Sequence, residues 1–170
     1  MWWRYFWFVL MAPGIIVHEL SHAVFCLLFG VKIYKINLLS YNKVAGYVVH
    51  AEPTRFLPSF FISFGPLIIN SSLAVWLFSQ VTLIFNWQDI ILIWLAIALG
   101  LQAIPSTGDA KALFKNANHN ILRNPLLILF YPLVFVLYLL NFLKYLFIDF
   151  IFVAFLFYIA QVYVRVYLGN

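Results

Sequence analysis

The sequence predicts an all-α integral membrane protein with about five transmembrane helices, and two features of the chain carry that expectation. Hydrophobic residues make up 66% of the 170 and charged residues only 9%. A soluble domain holds about 45–50% apolar and about 25% charged residues, so this chain lacks the polar surface to cover a globule in water. The second feature is the spacing of the apolar runs, of which about five approach the roughly 20 residues that a bilayer crossing needs. Together they describe a single membrane domain over residues 1–170 with a lipid bilayer as its solvent.

The first run extends from Trp2 to Phe29. It holds no small-residue cleavage site and reads as a permanent span rather than a signal peptide. Pro13-Gly14 predicts a kink, because proline frees a carbonyl of the preceding turn, and Gly30 ends the run. From Val31 to His50 the pattern changes to that of a membrane-edge hairpin: VKIYKINLL is β-branched and partly alternating, Tyr41-Asn42-Lys43 supplies a turn, and VAGYVV forms a second short strand. The second span covers Phe56 to Phe85, interrupted by Pro58 and Gly65-Pro66, and the third covers Trp87 to Ile104 before Pro105-Ser106-Thr107-Gly108-Asp109. The polar, basic stretch from Lys111 to Asn124 reads as an exposed loop. Two last spans, Pro125 to Phe142 and Tyr145 to Leu168, are rich in Phe, Leu and Tyr and poor in residues that do chemistry.

The net charge of +5 comes from dispersed Lys and Arg between apolar runs. That pattern suits anionic lipid headgroups and is not the stripe of a nucleic-acid binder. Cys26 is the single cysteine, which leaves no intrachain disulfide and no thiolate metal cluster. Counting basic residues on alternate sides places Lys32, Lys35, Lys43, Arg55, Lys111, Lys115, Arg123 and Arg165 together, with Arg4 and Lys144 opposite. The positive-inside rule then puts the N-terminus outside and the C-terminus in the cytoplasm. Small size and the lack of appended domains suggest a prokaryotic cell membrane.

The first span carries His18-Glu19-Leu20-Ser21-His22. Residues at i and i+4 share one helical face, so both imidazoles can ligate one zinc ion while Glu19 serves beside them as general base toward a water. The metal lowers the pKa of such a water toward about 7. An ionisable residue at mid-bilayer costs about 2.5–3.5 kcal/mol, so a cluster of three within five residues is functional rather than incidental. A third ligand is needed. Asp109 is best placed, because the helix-breaking residues before it open the backbone beside a polar site; its other reading is a helix N-cap for Ala110 to Lys115. His50, Glu52 and His119 remain alternatives, whereas Asp89 and Asp149 fall at span ends on the far side. In the second span, Asn70 is open to two roles, a hydrogen-bond donor to an oxyanion or interhelical glue, and Gln102 is open to the same two.

HELSH in a first span, a GYV-containing hairpin, GPLIIN in a second span and Pro-x-x-Gly-Asp in a third resemble the site-2 protease family of intramembrane zinc metalloproteases. The resemblance covers residues 14 to 112 in order. It implies a three-helix catalytic core, within residues 1–116, while the two accessory spans over 125–168 match nothing specific in the family. It also implies one zinc held by His18, His22 and Asp109, Glu19 as base, and a transmembrane protein as substrate. The hairpin from Val31 to Val49 would be an edge to which an unwound substrate adds as a strand. Two departures mark a divergent member: Gln102 stands where the family has Asn, with Asp109 one residue nearer Pro105 and Ala110 in place of Gly, and the Gly65-Pro66 to Asn70 interval differs by one residue. Competing expectations are a non-proteolytic metal- or haem-binding membrane protein and a degenerate scaffold for transmembrane helices, although a scaffold has no use for Glu19. A transporter would carry ionisable residues in several spans or an inverted repeat, and this chain has neither.

Overall fold

The structure, a computed structural model, describes residues 2–40, 45–82, 86–121 and 125–164. The turn predicted at Tyr41-Asn42-Lys43, the basic residues Arg123 and Arg165, and the ends of the second and fifth predicted spans lie outside them.

Helix α1 (Trp2–Leu28) runs as one unbroken element through Pro13. The Trp94 indole donates to the Leu10 carbonyl at 3.0 Å, adding a hydrogen bond on the turn before the proline. The hairpin forms where the alternation predicted it: β1 (Ile33–Asn37) pairs antiparallel with β2 (Tyr47–His50), Asn37 opposite Tyr47, with a register shift between Ile33 and Lys35. Helix α2 (Phe56–Ser79) continues through Gly65-Pro66. Helix α3 (Trp87–Leu101) starts on a capping box in which the Asn86 side chain accepts from the backbone of Gln88 and Asp89 while the Asp89 carboxylate accepts from Asn86 N–H. Asp89, a far-side acid in the sequence, is thus a buried capping group.

Helices α1, α2 and α3 pack on one another. Their approach at Gly14 is so close that a Cβ there would lie 1.9 Å from the Ala98 carbonyl oxygen, a contact only glycine permits. Asn70 is fully buried at this crossing and donates to the carbonyls of Gly14 at 3.2 Å and Leu99 at 3.3 Å, tying the three helices together.

One expectation is corrected. The stretch from Lys111 to Asn124, read as a loop, belongs largely to helix α4 (Thr107–Ile121). Ala110, Leu113, Ala117 and Asn120 recur at helical spacing and are buried, a narrow stripe that a mostly polar composition hides. The last two runs form α5 (Tyr131–Leu143), which a 3₁₀ turn over Pro125–Phe130 leads directly into, and α6 (Ile148–Ile159), which continues as a π-helical turn over Ala160–Val164. They belong to a bent pair with an angle of 112°, and between them Phe147 adopts a left-handed φ of 58°. Among the described residues α1 and α2 are long and apolar enough to cross a membrane, and a third crossing is added if the bent pair counts as one. Exposed apolar side chains include Trp2, Trp3, Leu27, Leu28, Trp76, Trp87 and Phe135.

Candidate metal centre

The α-helical period brings His18 and His22 onto one face of α1, and two neighbouring elements orient their rings. His18 Nδ1 lies 2.6 Å from the carbonyl oxygen of Gln102, where α3 ends, and His22 Nδ1 lies 2.8 Å from that of Ile62 in α2. A carbonyl only accepts, so both Nδ1 atoms carry the hydrogen and both Nε2 atoms present a lone pair. These lone pairs face each other, with Nε2 to Nε2 at 3.3 Å. Asp109 Oδ1 stands 3.5 Å from His22 Nε2. Three acceptors crowded together repel unless a cation lies among them. His18, His22 and Asp109 offer ligand atoms all within 4.8 Å of one another and could hold a metal ion.

Asp109 is positioned from its other oxygen. Its Oδ2 accepts from Ser106 N–H at 2.7 Å and Ser106 Oγ at 2.6 Å, while Ser106 Oγ accepts from Asp109 N–H at 3.3 Å. This reciprocal pairing starts α4. The sequence offered ligand or N-cap as alternatives for Asp109; Ser106 fills the capping position instead, and Asp109 supports the cap with Oδ2 while turning Oδ1 to the imidazoles. Ser63 of α2 donates to the Asp109 backbone carbonyl at 3.2 Å, adding a link across the centre.

Glu19 is buried at 9% exposure beside the two histidines and faces the hairpin. A Cβ at Gly46 would lie 2.7 Å from Glu19 Cγ, so the chain entering β2 leaves room for the Glu19 side chain because glycine stands there. His18, Glu19, His22, Gly46, Tyr47, Gln102, Asp109 and Lys144 line one cavity of about 320 Å³. A second cavity of about 610 Å³ shares His50 and Asp109 with it and is lined further by Glu52, Ser59, Ser63, Lys115, Asn116 and His119. The Lys115 ammonium donates to Glu52 and holds its carboxyl below the usual carboxylate range, although both groups are exposed and the pair adds little to stability.

No protein-family model, curated protein or solved structure matches the chain.

The structure brings together His18, Glu19, His22 and Asp109. It places Asn70 elsewhere, at the helix crossing, outside the residues that line the cavity. The alternative ligands stand apart from the three-residue group: His50 lines both cavities with its Nδ1 on the Ala51 carbonyl, and Glu52 and His119 line the second. Asp149 opens α6. Three contributors escaped the sequence: Ser106, Gly46 and Lys144. Lys144 was counted on the side opposite the α4 basic residues, yet its Nζ donates to the Ile104 carbonyl at 3.1 Å and it lines the metal cavity. Its one readable signal was a cation inside a long apolar stretch.

Proposed function

We propose that the chain is an integral membrane zinc metallopeptidase of the site-2 protease type, hydrolysing peptide bonds in or near transmembrane segments of other proteins. One observation carries the reading: two Nε2 lone pairs 3.3 Å apart, each fixed by a carbonyl behind its ring, beside an aspartate and with a glutamate in the same cavity. Tetrahedral zinc with nitrogen ligands at about 2.0–2.1 Å spaces those ligands about 3.3–3.4 Å apart, which the imidazole pair matches as it stands. Three protein ligands leave a fourth position open, the arrangement of hydrolytic rather than structural zinc.

When bound, the zinc ion supplies Lewis acidity, acidifying a water and polarising the carbonyl under attack. His18 and His22 offer Nε2 and Asp109 offers Oδ1. The Glu19 carboxylate takes the proton from the attacking water and delivers it to the leaving amine nitrogen. The carbonyls of Gln102 and Ile62 keep both rings in the ligating tautomer throughout.

In this reading α1, α2 and the shorter apolar helix α3 cross a prokaryotic cell membrane, which puts the hairpin and α4 on one side, with the N-terminus outside and the C-terminus in the cytoplasm. Lys32, Lys35 and Arg55 near the hairpin and Lys111 and Lys115 on α4 support that orientation. The substrate is a transmembrane protein.

The test is elemental analysis of detergent-purified protein beside its His18→Ala, Asp109→Ala and Glu19→Gln variants, with cleavage of a panel of transmembrane peptides. Wild type and Glu19→Gln are expected to hold one zinc per chain and the two ligand variants to lose it. Glu19→Gln is expected to lose about 10²–10⁴-fold of the cleavage rate. A folded, unchelated wild type without zinc, or a Glu19→Gln variant as active as wild type, overturns the reading.

A further inference from the structure

We infer that Lys144 is the anion-binding residue of the metal cavity, its ammonium receiving the negative oxygen that develops on the substrate carbonyl as water adds. The inference rests on the hydrolase reading above. Lys144 stands at the break between α5 and α6, and it shares a task with Asn141, three residues earlier. Asn141 Nδ2 donates to the Pro105 carbonyl at 3.0 Å and Lys144 Nζ to the Ile104 carbonyl at 3.1 Å, so the pair grips the segment that leads into Asp109. The ammonium is thereby fixed at the wall of the cavity that also holds His18, Glu19, His22 and Asp109. It lies within electrostatic reach of Asp149, Asp109 and His18.

An ammonium carries three N–H donors. One is given to Ile104, which leaves two for a ligand in the cavity. Asp149 and Asp109 are the carboxylates that act on this ammonium, so its donors and their fixed position, rather than a surplus of charge, suit it to the task. A donor fixed before the reaction needs no reorganisation when charge develops. The amide of Asn70 is unsuited to that task, since it donates to two helix carbonyls at the α1–α2–α3 crossing.

The probe is inorganic phosphate, a tetrahedral anion, titrated into cobalt-substituted protein and followed by the visible absorption of the ion. Lys144→Gln and the stem-preserving Lys144→Met are expected to bind phosphate at least about tenfold more weakly and Lys144→Arg within about threefold of wild type, all three holding metal at wild-type stoichiometry. Against a cleaved transmembrane peptide, the neutral variants are expected to lower kcat and leave KM unchanged. Phosphate affinity unchanged in both neutral variants overturns the role of Lys144 and leaves the hydrolase reading standing. A rise in KM alone reassigns Lys144 to ground-state binding of a substrate carboxylate. Loss of metal in the neutral variants reduces it to a prop for the segment before Asp109. A wild type that takes up no metal removes the hydrolase reading and this inference together.

Discussion

Each imidazole at the centre is held from behind by a helix carbonyl, and the glutamate beside them is held from the front by a glycine. The first arrangement was legible in the sequence only as far as the i, i+4 spacing, because the carbonyls of Gln102 and Ile62 arrive from other helices and a backbone oxygen leaves no mark in a residue string. Gly46 was visible only as part of a strand, and its role appears once β2 is laid over α1. Gly46→Ala would push a methyl group to 2.7 Å from Glu19 Cγ and 3.0 Å from the Leu38 carbonyl oxygen. The variant is expected to keep its metal, to lose at least about tenfold of its hydrolytic rate, and to cost about 1–3 kcal/mol of stability through overpacking. Metal analysis paired with a cleavage assay decides it; full activity would mean that the position of Glu19 is not set by the hairpin.

Elements built from strong periodic patterns were read correctly, and the failures share a cause. The hairpin was legible because alternation and turn residues are local signals, and α1 and α2 because their apolar runs are long. Helix α4 was missed because four buried positions, Ala110, Leu113, Ala117 and Asn120, are nearly lost among polar neighbours. Its first turn nevertheless links fold to site: Ser106 Oγ and N–H anchor Asp109 Oδ2, so the helix cap and the candidate third ligand are one structure. Removing the hydroxyl in Ser106→Ala is expected to cost about 0.5–2 kcal/mol as a lost cap. It is also expected to weaken metal binding about 10–100-fold, as for other groups that orient a ligand. Competition of the variant against a metal chelator measures the second effect, and wild-type affinity would separate the cap from the ligand.

At the scale of the molecule, the run-by-run reading counted spans from composition alone, and composition does not register where a helix stops. Lys144 and Phe147 end one helix and redirect the next, so α5 and α6 form a bent pair whose break carries a lysine into the wall of the cavity. Helix α3 has a related peculiarity. Its 15 residues rise about 22 Å against a hydrocarbon core of about 30 Å. One end is sealed by the Asn86–Asp89 capping box, and the other stops at Gln102, whose carbonyl holds His18. A bilayer beside such a helix must thin, or the helix must be drawn below the headgroups, at fractions of a kcal/mol for each ångström of hydrophobic mismatch. Protein reconstituted in short-chain phosphatidylcholine is expected to cleave faster than in long-chain phosphatidylcholine at equal metal content, and equal rates in both would uncouple the site from its lipid surroundings. On the proposed reading, the short third helix would set the candidate metal centre beneath a dimple in the lipid, membrane thickness would become an input to the chemistry, and thinner regions of a membrane would be where this protein gathers and acts.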